Sequence, residues 1–83
     1  MAQELREFEE ARTHYQQALQ IEIEFKNRYA QAFTHYQLGL LAEAEGNQAE
    51  AKTFLQQAIG IFVEFGDEYR AAIIQQNLDL RSS

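Results

Sequence analysis

Cysteine and proline are both absent from this 83-residue chain, and glycine occurs only four times. Without cysteine, neither disulfides nor a thiolate metal site can reinforce the fold. A chain of this size buries only about 60–65% of the surface its unfolded form exposes, so any core must be economical. Basic residues are also scarce. Seven (Arg6, Arg12, Lys26, Arg28, Lys52, Arg70 and Arg81) stand scattered against thirteen acidic ones, for a net charge of −6. Phosphate backbones are repelled on average, and nucleic acid is not an expected partner. No apolar run approaches the roughly 20 residues a bilayer span needs. The opening MAQELREFEE lacks the basic-then-apolar pattern of a secretory signal. No membrane partner is expected, and the expected location is cytoplasmic. Serine occurs only as Ser82 and Ser83, and there is no glycine-rich phosphate loop or nucleophile elbow. The sequence therefore predicts a protein that is not an enzyme and takes no cofactor.

What is abundant points to helices. Apolar residues make up 46% of the chain, and Ala, Glu, Gln and Leu, all good helix formers, dominate the rest of the pattern. The sequence also repeats itself every forty residues. EARTHYQQALQIEIEF (10–25) lies over EAKTFLQQAIGIFVEF (50–65), with Glu, Ala, Thr, Gln, Gln, Ala, Ile, Glu and Phe recurring in place. Beyond that block Tyr29 falls on Tyr69, Ala32 on Ala72, Leu38 on Leu78 and Leu40 on Leu80. The four-residue string THYQ, which occurs at 13–16 and 34–37 and holds both histidines, does not follow this period: His14 falls on Phe54 and His35 on Gln75.

Turn signals divide the repeat into helices near 8–25, 28–45, 48–65 and 68–81. Gly66-Asp67 is the clearest break, glycine suiting the left-handed residue that ends a helix and aspartate capping the next. Lys26-Asn27 holds the same place one period earlier, with lysine less suited to that conformation. At Gly46-Asn47, Asn47 followed by Glu50 resembles a capping box, and Arg6-Glu7 is its weaker copy. Links this short force antiparallel neighbours. Ala51, Leu55, Ala58 and Phe62 fall on one helical stripe, widened by Phe54, Ile61 and Phe65, while Ala11, Tyr15 and Ala18 repeat its small-large-small order. The alanines mark places where helix axes approach closely.

These residues resemble a tetratricopeptide repeat array, of the longer, roughly forty-residue class also found in kinesin light chains and many bacterial signalling proteins. Leu38-Gly39 in the first helix of a repeat, Gly46-Asn47 at its turn, and Ala51, Leu55, Ala58 and Ile61 in its second helix carry the likeness. Ala11, Tyr15, Ala18 and Ile21 supply the preceding half-repeat. The resemblance implies an all-α fold of stacked antiparallel hairpins, a short right-handed solenoid of about four helices and about two repeats, forming one domain over 1–83. On this register the chain begins at the end of a repeat's first helix. Asp79, where the family prefers a small residue, marks helix 68–81 as a terminal or capping one.

The same resemblance implies a scaffold that binds a peptide or protein segment on its concave surface. The family's inward-facing positions fall on Phe33, Tyr36, Leu40 and Glu43, then on Ile73, Gln76 and Leu80. Domains of this family that hold the acidic C-termini of chaperones place lysine and asparagine where Tyr36 and Leu40 stand, so that clamp is not implied. The alternative is a structural spacer or oligomerisation element, part of a longer array in a multidomain signalling protein. Tyr15, Leu19 and Ile23 at one end and Ile73, Ile74 and Leu80 at the other predict self-association through the terminal helices, as a closed homodimer rather than a filament. The histidines predict no metal site. Pairing the first two helices about residues 26–27 sets His14 and His35 about 6 Å out of register across an interaxial gap of roughly 8–10 Å, and zinc wants further ligands. Carboxylates at Glu7, Glu9 and Glu10, or at Glu43, Glu45 and Glu50, lack calcium-loop spacing and read as solvated helix faces.

Overall fold

The computed structural model describes the backbone of residues 2–82 and the side chains of residues 6–80. It holds four helices, α1 (Ala2–Glu24), α2 (Arg28–Ala44), α3 (Gln48–Glu64) and α4 (Glu68–Ser82), with no strand among the described residues. Each packs against its neighbour in sequence, α1 on α2, α2 on α3 and α3 on α4, as links this short require. The result is a slab of 41 × 37 × 16 Å, an all-α stack of antiparallel helices of the tetratricopeptide type the sequence predicts.

All three turns close in one way. The second residue past the helix takes a left-handed conformation, Gly46 at φ 83° and Gly66 at φ 76°. The next N–H then reaches back to a carbonyl of the last turn, Asn47 to Ala42 at 2.9 Å and Asp67 to Phe62 at 2.8 Å. This satisfies carbonyls that the helix end leaves open. Lys26, less suited on paper, does the same at φ 56°, with Asn27 N–H on Glu22 O at 2.8 Å. The left-handed backbone costs an L-residue roughly 1–2 kcal/mol that glycine avoids. Lys26→Gly is therefore expected to raise the calorimetric melting temperature by a few degrees, less than the full relief because glycine also loosens the unfolded chain. An unchanged midpoint would show that the turn at 26 carries no such strain.

Asn27, Asn47 and Asp67 cap the helices that follow, each side-chain oxygen accepting from the N–H three residues on. The capping box at Asn47 forms only in its first half. Because the Asn47 N–H is spent on Ala42, the Glu50 carboxylate turns to the Asn47 side-chain amide instead, at 2.8 Å. The weaker break at Arg6-Glu7 does not exist. Neither residue adopts the left-handed backbone, the segment is all good helix formers, and α1 runs through it from Ala2, with Arg6 bridging the Glu10 carboxylate one turn on at 3.5 Å.

The core lies between α2, α3 and α4. Ala32, Leu55, Ala58, Ile61, Phe62, Ala71, Ile74 and Leu78 form one buried cluster, and Ala51 and Ala58 are fully buried, in line with a close approach of helix axes. The helices also approach closely at Gly39. A β-carbon placed there would stand 2.7 Å from Leu55 Cδ2 and 3.4 Å from the Ala51 carbonyl, so the α2–α3 distance at that point depends on glycine. α1 contributes no buried side chain among the described residues and is fastened by polar contacts. Arg12 reaches both Glu45 and, at 2.6 Å, Glu50 beside the α2–α3 turn. The buried Thr34 hydroxyl donates to the Glu22 carboxylate at 2.7 Å. The hydrogen bonds that Arg12 donates to Glu50 and Glu45, in that order, raise its pKa above the ordinary value.

Candidate functional site

The helix stacking leaves a recess on the face shared by α2 and α4. Phe33, Tyr36 and Gln37 of α2 form one wall and Arg70 and Ile73 of α4 the other, around a volume of about 240 Å³. Phe62 of α3, 1% exposed, and Ile74, 2% exposed, make its floor. Phe33 and Ile73 are 39% and 44% exposed and make its rim, so apolar surface stands open to solvent.

An aromatic cluster fixes the wall. Tyr29 meets Phe33, Phe62 and Phe65 edge-on at centroid distances of 5.3, 5.7 and 5.4 Å, and Phe33 meets Phe62 at 5.1 Å. Such edge-to-face pairs suit the ring quadrupoles and hold each ring in one orientation. The Tyr29 hydroxyl donates to Asp67 Oδ2 at 2.5 Å, and Arg70 Nη1 donates to the same oxygen at 2.9 Å. The Arg70 guanidinium carbon lies 5.2 Å from the Phe33 ring centre, within cation–π range. One capping aspartate therefore orients both the tyrosine and the arginine beside the recess. The hydrogen bond from Tyr29, then those from Arg70, hold the Asp67 carboxyl below the usual range. Asp67 in turn pushes the Tyr29 hydroxyl and the Arg70 guanidinium up.

Of the residues expected on the inner face, the recess brings together Phe33, Tyr36 and Ile73. Leu40 and Glu43 are half-buried and Gln76 and Leu80 exposed, and none of these four lines it. Gln37, Phe62, Arg70 and Ile74 were not anticipated. The repeat hid Arg70, because the residue forty positions earlier is Ala30. Among the residues expected to form exposed terminal stripes, Ile23 and Leu80 are 55% and 73% exposed, and Tyr15 and Leu19 are half-buried. Ile74 is a correction. It shares a helical stripe with Ala71 and Leu78, and that stripe faces the core, so Ile74 offers no surface to a second molecule.

The histidines occupy different surroundings. His14 is exposed, beside Arg6, Glu9, Glu10 and Thr13 in a shallow polar hollow. His35 stacks on Phe54 of α3 at 6.1 Å and 27°. Burial first, and Arg28 next, push the His35 pKa below its ordinary value against an opposing pull from Glu22. Among the described residues no three His, Cys, Asp or Glu side chains gather as a metal ion would need, and no helix is long and apolar enough to cross a membrane.

Comparison with known families gives one finding. The Tetratricopeptide repeat model matches residues 1–62, which takes in α1, α2 and most of α3. No curated protein and no solved structure matches the chain. The forty-residue period, the glycine crossing between α2 and α3, and a family match over most of the length agree, and the chain belongs to the tetratricopeptide repeat family of helical protein-interaction modules.

Proposed function

We propose that the chain is a non-enzymatic interaction scaffold that holds a peptide or protein segment on the α2/α4 face, working in the cytoplasm. The observation that carries this reading is the recess itself, an apolar hollow with Phe33 and Ile73 exposed at its rim and Arg70 as the cation among its lining residues. Its volume suits one large side chain. Arg70 spends one N–H on Asp67 and keeps others of its five donors for a ligand. A segment that sets a large apolar side chain beside a carboxylate matches both features. The net charge of −6 disfavours nucleic acid or an anionic membrane as the ligand. Leu40, Glu43, Gln76 and Leu80 extend the same face beyond the recess and complete the proposed contact.

The test is selection of peptides from a random display library on the folded protein, followed by fluorescence anisotropy of the selected peptides. Enrichment of a large apolar residue next to Asp or Glu is expected. The double substitution Phe33→Ala and Ile73→Ala, at partly exposed positions, should weaken binding at least tenfold while leaving helicity intact. Selected peptides that bind the double variant equally well, or a selection that yields none, would overturn the reading. A second reading, a structural or self-associating element, draws on Tyr69 and Leu80, which are 77% and 73% exposed on α4 and would be covered by further protein. An empty selection together with a mass above the monomer would favour it.

A further inference from the structure

We propose that Asp79 prevents a second copy of this chain from adding to α4 in the way that α3 adds to α2. The inference is independent of what the recess binds. It starts from the α2–α3 crossing, where Gly39 admits Leu55 so closely that a β-carbon would meet its Cδ2 at 2.7 Å and its Cγ at 2.8 Å. Four residues earlier on α2, His35 stacks on Phe54. One period on, these two α2 positions become Gln75 and Asp79 of α4. Both are exposed, and Gln75 Nε2 donates to Asp79 Oδ1 at 3.1 Å. The flank of α4 that corresponds to the glycine crossing is thus filled and polar.

A second copy has much of what the contact would otherwise need. Its α1 carries Ala11, Tyr15 and Ala18 at the repeat positions of Ala51, Leu55 and Ala58, all partly exposed. The Arg12–Glu50 ion pair that fastens α1 to α3 would recur between Lys52 of one copy and Glu10 of the next, since both lie forty residues from their counterparts. Head-to-tail contacts of this kind grow into fibres unless their rotation closes a ring. Asp79 opposes that growth twice. Its β-carbon occupies the space that glycine leaves open, facing tyrosine instead of leucine. Its carboxylate would also lose water against the backbone carbonyl of Ala11, which corresponds to that of Ala51.

The test is sedimentation and light scattering over a dilution series of the wild type, Asp79→Ala, Asp79→Gly, and Asp79→Gly with Tyr15→Leu, with helicity recorded for each. The wild type should keep a finite mass that reaches a plateau. Asp79→Ala, which removes the charge but keeps the β-carbon, should behave likewise. The double variant, which restores the glycine–leucine pair, should rise at least about twofold in average mass without a plateau, as an open contact requires. Asp79→Gly alone should fall between. Growth of the wild type without limit overturns the proposal whatever the variants do. So does growth of Asp79→Ala equal to that of the double variant, or a folded double variant that stays at the wild-type mass.

Discussion

Phe62→Ala should cost about 3–5 kcal/mol of stability, the usual range for truncating a large ring in a packed core. Phe62 is 1% exposed, lies in the main buried cluster, and meets the rings of Tyr29 and Phe33. A chain of 83 residues has a total stability of roughly 4–12 kcal/mol by the usual per-residue figure. The truncation thus removes about a quarter of it at the least. The stack has few other large buried groups to compensate, since among the described residues the remaining fully buried large side chains are Leu38, Leu55 and Ile74. Urea unfolding followed by circular dichroism should show a lower midpoint at nearly constant slope, and the recess should lose its floor at the same time. A loss under about 1 kcal/mol would mean that the cavity collapses freely and that the three helices do not hold one another at Phe62. The contrast with Phe33→Ala is informative, because Phe33 lies on the rim and its loss should reduce binding far more than stability.

Much of this arrangement is legible in the sequence because it follows local rules. Gly46 and Gly66 mark left-handed turn residues, and Asn27, Asn47 and Asp67 mark caps, so three of the four helices have starts within a residue of the expected ones. Ala51 and Ala58 are read as close-packing positions from their spacing alone, and both are fully buried. The first helix is longer than the repeat predicts, because the forty-residue period extends to Arg6-Glu7 without the residues that make a turn. Ile73 and Ile74 show a different limit. Adjacent isoleucines point about 100° apart on a helix, and only packing against α3 decides that Ile74 is core and Ile73 is rim. Arg70 and the Tyr29–Asp67 bond were invisible for a third reason. The Tyr29–Asp67 bond joins positions 38 apart, Arg70 meets Phe33 of α2 from α4, and this geometry depends on a turn and a ring cluster that no short motif encodes. The face of the candidate site was therefore readable from family positions, and its chemistry was not.

Gly39→Asp should abolish cooperative folding at ordinary temperature. It places at the α2–α3 crossing the residue that stands at the corresponding position of α4. The β-carbon alone would lie 2.7 Å from Leu55 Cδ2 and 2.8 Å from its Cγ, and Leu55 is fully buried among other core residues, so it has nowhere to retreat. Overpacking of this kind costs typically about 1–3 kcal/mol. The carboxylate is a larger difficulty, since a buried charge without a partner is destabilising by several kcal/mol, about 3–5 in measured cases. Together these come to about 4–8 kcal/mol, enough to use up most of the stability of a chain of this size unless it lies near the upper end of roughly 4–12 kcal/mol. Gly39→Ala separates the two effects. It keeps the steric clash but gains helix propensity, about 1 kcal/mol for alanine over glycine, so its net loss should be no more than about 2 kcal/mol. Thermal melts of the two variants, monitored by circular dichroism, should give a lowered but cooperative transition for alanine and little or no transition for aspartate. Lowering the pH to protonate the introduced carboxylate should restore part of the aspartate variant's helicity, because the neutral acid is far less costly to bury. A cooperative melt for Gly39→Asp within a few degrees of the wild type would show that α2 and α3 can separate at this point without loss. It would also remove the physical basis for treating Asp79 as a block to further helices.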